Sequence, residues 1–287
     1  MTHAFSNFRY NPIASTSLKW SVIAAGIALL LSIPASSARA DDVLRTGGPG
    51  AVTQMLQRVG AAFTRQEPGT TLMVLPNLGS GGAIAGVADG LLDFAVSGRP
   101  LNSEEAKSLT AIVLASTPFG LASSQPNPGS IKSADIAAFF QNVRSVWPDG
   151  TPVRVVLRSR AEVDAALLVN TFPNMAAAID QLRSHPEIPV VATDQDNVLL
   201  AEKMAGSLTA VTLTQVVTEK RRLHFVAIDG VDPTLENFER GTYPYRKDFY
   251  FVFAHSKKPA VDRFIAFLRS ADGEKLLRET GNLAPRP

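Results

Sequence analysis

The chain has no cysteine. That excludes disulfide frameworks, thiol catalysis and cysteine-ligated metals, and leaves the compartment to be read elsewhere. Histidine is nearly as scarce. Of the four, His3 falls in the N-terminal leader described below. His185, His224 and His255 each stand alone, without a second histidine or paired carboxylate at metal-ligand spacing, and read as surface or cleft-edge residues. The formal net charge is only +2, so bulk charge gives no reason to expect nucleic acid or a membrane surface as partner. Catalytic signatures are missing as well. Ser80 lies in Gly79-Ser80-Gly81, which is not G-x-S-x-G, and Gly79 to Gly82 is not followed by the Lys and Ser/Thr of a nucleotide-binding loop. The chain therefore reads as a non-enzyme, with no catalytic residue, metal or cofactor assigned.

What is present is a chain of 287 residues, 45% hydrophobic and 19% charged, enough for one or two domains with a sizeable core. At the N-terminus Arg9 and Lys19 precede the apolar stretch Trp20 to Ile33, then Pro34 and Ala38-Arg39-Ala40. A basic region, a short apolar region and an A-x-A site describe a secretory signal peptide over residues 1–40. Val22 to Ile33 is shorter than the ~20 residues that span a bilayer, and no second long apolar run follows. The mature chain is thus expected from Asp41, exported and soluble. Without Arg9, Lys19 and Arg39 its formal charge falls to −1.

Short apolar runs then alternate with helical patterns. Val43 to Thr46, Leu72 to Leu75 and Leu92 to Val96 read as strands, each followed by a glycine-containing turn. Val52, Met55, Leu56, Val59 and Phe63 recur at helical spacing until Pro68-Gly69, and Ala83 to Ala88 reads as a short helix after the turn Gly79 to Gly82. Three such units argue for a mainly parallel sheet with helices on both faces. Beyond Ser123 a second α/β lobe is expected. It has a helix through Ile136, Phe139 and Phe140 that Ser133 caps, and strands at Val153–Leu157 and Ile188–Ala192. Leu223–Ile228 and Phe249–Ala254 are again strands, and two helices follow, through Val261 to Leu268 and through Leu276 and Leu277. Asp194, Asp196 and Asn197 read as a solvated loop. Two lobes of about 100 residues make the cleft between them the natural ligand site. Helix starts preceded by glycine turns suit an anion there, because they present free N–H groups and the positive end of the helix dipole.

Five segments, in order and spacing, carry a resemblance. They are Gly47 to Phe63; Gly79-Ser80-Gly81-Gly82 through Asp93 to Leu101; Ala227 to Thr234; Gly241-Thr242-Tyr243-Pro244-Tyr245-Arg246; and Phe264 to Pro285. Over nearly all of Val43 to Pro285 the chain resembles the phosphate-type (PstS-like) solute-binding proteins of ABC transporters, in the periplasmic binding protein superfamily. The resemblance implies an α/β, two-lobed periplasmic-binding-protein fold of the type II kind with its ligand cleft between the lobes. It implies a discontinuous first lobe, residues 41–122 with 223–287, and a second lobe, 123–222. It also implies a monomeric periplasmic protein that hands a small anionic solute to an inner-membrane ABC permease, with no role for nucleic acid.

The ligand set implied is Gly50, Ala51, Ser80, Gly81, Gly82, Ser97 and Arg99 from the first lobe, with Arg158 and Ser159 from the second. Arg99 either touches the ligand, supports its turn or pairs with an acid. Three positions depart from the family pattern. Ala51 stands where a Thr or Ser is usual, Gly98 where an Asp or Ser is usual, and Glu162-Val163-Asp164 where Ser-Gly-Thr belongs. Glu162 and Asp164 either face solvent or pair with Arg158 and Arg160. The alternative expectation is therefore an envelope protein of the same fold whose altered pocket serves sensing or partner binding.

Overall fold

The apolar stripe Val52, Met55, Leu56, Val59 and Phe63 is fully buried, which is what gives the segment its helix. In the computed structural model, which describes residues 42–142 and 144–285, this is α1 (Thr53–Gln66). It runs between β1 (Asp42–Gly47) and β2 (Thr70–Leu75), paired in parallel from Asp42↔Thr70 to Gly47↔Leu75. Glu67 ends the helix, and Gly69, at φ 94°, turns the chain into β2. The leader read at residues 1–40 lies outside the described residues. Among the described residues no helix is long and apolar enough to cross a membrane.

The second turn is shorter than expected. The helix α2 (Gly79–Ala88) begins at Gly79 and takes in the whole glycine run. Its glycines are poor helix formers. Packing overrides them, since Ala83, Ile84 and Val87 are buried in one cluster with Leu92 and Val252. Then β3 (Ala95–Ser97) leads to β4 (Leu109–Ser123), a fifteen-residue strand. The sheet around it is mixed and not mainly parallel. Its order is β3-β12-β4-β9-β6, where β6 is Arg154–Val155, β9 is Ser207–Thr212 and β12 is Arg246–Ala254; β10 (His224–Phe225) adds to β4, and β5 (Ser130–Ile131) pairs apart with β11 (Ala227–Ile228). The pairs of β12 with β3 and β4, and of β4 with β9, are antiparallel. The strand-turn-helix units predict only local parallel pairing. The return of β12, about 150 residues later, has no signature in them.

Two large apolar clusters flank this sheet. One joins Leu44, Met55, Phe63 and Phe94 to Phe249, Phe251, Phe264 and Leu277. After α7 (Leu213–Glu219) and α8 (Leu235–Glu239), the C-terminal helices α9 (Pro259–Leu268) and α10 (Ala271–Glu279) therefore pack on the N-terminal unit, with the Phe264 ring 5.0 Å from Phe63 and 5.1 Å from Phe94. The other joins Phe119, Leu121, Phe140, Trp147, Leu157, Leu168, Ile179, Leu208 and Tyr243. β4 crosses from the first cluster, at Ala115, to the second, at Phe119. Within the second cluster α3 is Ile136–Gln141, α4 is Val163–Thr171 and α5 is Met175–Arg183. Ser133 does not cap α3: a 3-10 turn over Ser133–Asp135 precedes the helix, and no side chain caps it. β7 (Leu157–Arg158) pairs in parallel with β8 (Val190–Val191). The helix α6 (Asp194–Lys203) follows directly.

Candidate functional site

Arg158 ends β7, and its side chain is 4% exposed. A guanidinium so deep must be paired. Its Nη2 donates to Glu162 Oε2 at 2.9 Å and lies 3.2 Å from Asp194 Oδ1. Asp194 in turn accepts, on Oδ2, the backbone N–H of Ala51 at 3.0 Å. One carboxylate thus ties the buried arginine to the 3-10 turn Gly50–Val52 that opens α1. Gln195, the next residue, closes over the same turn: a Cβ at Gly50 would stand 2.0 Å from Gln195 Oε1 and 2.7 Å from Asn77 Oδ1. A side chain at Gly50 would displace the Gln195 and Asn77 amides from the turn.

Asp194 and Asn197 therefore do not form a solvated loop. Thr193 caps α6 by accepting from Asp196 N at 3.0 Å, and Asp194, Asn197, Val198 and Ala201 form its buried face. Asn197 donates to Ala210 O and accepts from Thr209 Oγ1. The spacing of Asp194 to Val198 and Ala201 (i, i+4, i+7) is the signal that could have placed this aspartate inward.

A second ionic contact lies beside the first. Lys247, on β12, bonds Asp164 Oδ1 on α4, and both side chains are buried. Lys247 fills the space left by the absent side chain at Gly98, where a Cβ would meet Lys247 Cε at 2.8 Å. Ser80 Oγ accepts the Gly98 N–H at 2.9 Å, so the starts of α2 and of the turn after β3 are stitched together. Lys247 was missed by the sequence reading. It shares a strand face with the buried Phe249 and Phe251, and a lysine in phase with phenylalanines is the signal it offered. Neither Glu162, which is 31% exposed, nor the buried Asp164 pairs with Arg160. They take Arg158 and Lys247, while Arg160 pairs with Asp180 at 2.7 Å.

The remaining expected residues divide. Gly50, Ala51, Ser80 and Arg158 belong to this cluster. Ser97 is buried, but its hydroxyl closes a local turn, donating to Arg99 O and accepting from Arg99 N. Arg99 forks onto Glu105 at 2.8 and 2.7 Å. That pairing holds Glu105 below the usual carboxylate range and raises Arg99. Gly81 and Gly82 lie exposed on α2, and Ser159 uses its N–H on Val191 O in the β7–β8 pairing. Beside Gly50 a polar cavity of about 580 Å³ opens, lined among others by Gln54, Gln57, Asn77, Gln195 and Lys220. Its volume is in the range that holds small solutes.

Two α/β lobes sharing strands, with a helix start from one facing a buried arginine of the other, define a two-lobed binding fold. Residues 34–272 match the family model of the PBP superfamily domain, and the chain belongs to that family. The same fold appears in a candidate phosphate ABC transporter substrate-binding protein from Clostridium perfringens, solved with bound phosphate. It aligns at TM-score 0.73 and 16% identity over 85% of this chain and 100% of its own. An ABC-type phosphate transport receptor from Vibrio cholerae aligns at TM-score 0.61 and 19% identity, again over 85% and 100%. The periplasmic molybdate-binding protein of Azotobacter vinelandii aligns at 0.58 and 12%, also over 85% and 100%. At these identities the likeness is one of fold. No curated protein matches the chain in sequence.

Proposed function

We propose that the chain is an exported solute-binding protein that captures a small anion, phosphate or a related oxyanion, for an ABC-type uptake system. The observation that supports this is the Asp194 carboxylate itself. Held between the Ala51 N–H and Arg158, it occupies donors suited to an anion of that size. The lobes that would close on the solute are residues 41–122 with 223–287 and residues 123–222; the first apolar cluster supports the return of Phe249 to Leu277 to the N-terminal unit, while Phe119, Val226 and Tyr243 pack in the second. Periplasmic location rests on the leader over residues 1–40, and monomeric delivery to a membrane permease on the family. Calorimetric titration with phosphate, sulfate, molybdate and small carboxylates tests the reading. At least one should bind, with affinity lost in Arg158→Ala, and phosphate should be weaker than micromolar. If no solute of the panel binds folded protein, the reading falls.

A second reading has its own support. The cleft sets three carboxylates, Glu162, Asp164 and Asp194, against two cations, Arg158 and Lys247. Such a balance disfavours a free oxyanion and suits an envelope protein that senses or binds a partner through the same fold. Permease and ATPase genes beside this one would speak for transport.

A further inference from the structure

Of the three cleft carboxylates, Glu162 and Asp164 each serve one cation. Asp194 alone bonds both sides, one oxygen on the Ala51 N–H and the other beside Arg158 Nη2. We propose that Asp194 holds down the oxyanion affinity of the cleft: its carboxylate occupies the position an incoming oxyanion must take, and removing it opens that position to inorganic phosphate or sulfate. The inference rests on the solute-binding reading above and adds the residue that controls it.

Like charges cannot share this place, because a second anion within contact distance of a buried carboxylate is strongly repelled. The donors left behind are numerous. Arg158, 4% exposed, holds Glu162 with Nη2, and its Nε and Nη1 find no acceptor among the described residues. With Asp194 truncated, the Ala51 N–H joins them. The helix does not need the carboxylate. Thr193 supplies the cap of α6. Asn197, Val198 and Ala201 anchor its buried face. The bond from Gln215 Nε2 goes to the main-chain oxygen of Asp194, which substitution leaves in place.

The test is calorimetric titration of the purified protein with inorganic phosphate, then sulfate. Asp194→Ala should bind phosphate at least tenfold tighter than wild type. Asp194→Asn should gain less, because its amide oxygen still accepts from Ala51. Asp196→Ala, on the exposed side of the same helix, should match wild type. Adding Arg158→Ala to Asp194→Ala should erase the gain. If Asp194→Ala does not fold cooperatively, Asp194→Asn carries the test with an expected gain of at least threefold. A folded Asp194 variant within twofold of wild type overturns the proposal, as does a gain that survives loss of Arg158. Two outcomes separate this proposal from the transport reading. Wild type that binds a panel solute, beside an Asp194→Ala that gains nothing, overturns the proposal alone. Wild type that binds no solute, beside an Asp194→Ala that gains phosphate, supports the proposal and overturns transport.

Discussion

The two faces of the cleft are built on different chemistry. The first, from Gly47 to Ala51 with Ser80 and Ser97 to Arg99, offers backbone amides and hydroxyls, and most are used at short range. Gly48 is needed because a Cβ there would stand 2.5 Å from Val96 O, and the Ser97 hydroxyl serves its own turn. The second face offers Arg158, Glu162, Asp164 and Asp194, one cation and three carboxylates that pair with Arg158, with Lys247 and with the Ala51 N–H of the first face. The difference teaches that glycine and serine turns can persist for reasons of packing, whatever the ligand. In the proposed reading, the charged face decides the ligand chemistry.

That contrast is broken most severely at Lys247. Lys247→Met leaves Asp164 buried without its partner, which should cost about 3–5 kcal/mol and appear as a lower urea midpoint at unchanged slope. Replacing both members, Lys247→Met with Asp164→Leu, should recover most of that stability. A single variant as stable as wild type would mean that the contact is not closed in solution.

The neutral face should yield less. Ser80→Ala removes the acceptor of the half-buried Gly98 N–H, worth about 1.5 kcal/mol in the same denaturation experiment. A loss equal to that of Lys247→Met would erase the proposed difference between the faces.

How much of this was legible in the sequence follows from the range of the interactions. α1, β1, β2 and the C-terminal helices rest on apolar periodicity within a dozen residues, and their burial follows the pattern. Arg158 and Ser80 were legible through the resemblance. Asp194, Asp164 and Lys247 were not read as partners, because their contacts join residues 36 to 143 positions apart. Local spacing places such side chains on an inward face but cannot say what they meet. The mixed sheet escaped for the same reason, since β12 enters between β3 and β4 from the far end of the chain.

An uncharged interior point separates burial from charge pairing. Tyr243 is fully buried and donates its hydroxyl to Phe119 O at 2.9 Å, and burial pushes its phenol well above the usual 10. With the folded value raised, the stabilisation is complete below the unfolded pKa of about 10 and is lost as pH rises beyond it, at about 1.4 kcal/mol per pH unit. Wild type should therefore lose about 1 kcal/mol more than Tyr243→Phe between pH 10 and 11, the unfolded phenol being already half ionised at pH 10, measured by urea unfolding. Equal losses would show that the phenol titrates in the folded state.

The smallest effect belongs to Arg99, and it bears directly on where the site ends. Arg99 was an expected ligand contact, yet its guanidinium forks onto Glu105 with both side chains partly in solvent. Partly exposed pairs contribute little, because water screens them and side-chain ordering opposes them; Arg99→Ala should cost about 0.5 kcal/mol. The Ser97 turn does not depend on it, since that turn uses only the Arg99 backbone. Anion binding in the Asp194→Ala background should accordingly be unchanged by Arg99→Ala and abolished by Arg158→Ala. If calorimetry instead shows a tenfold loss on removing Arg99, the guanidinium leaves Glu105 for the solute, and the neutral face contributes a cation of its own.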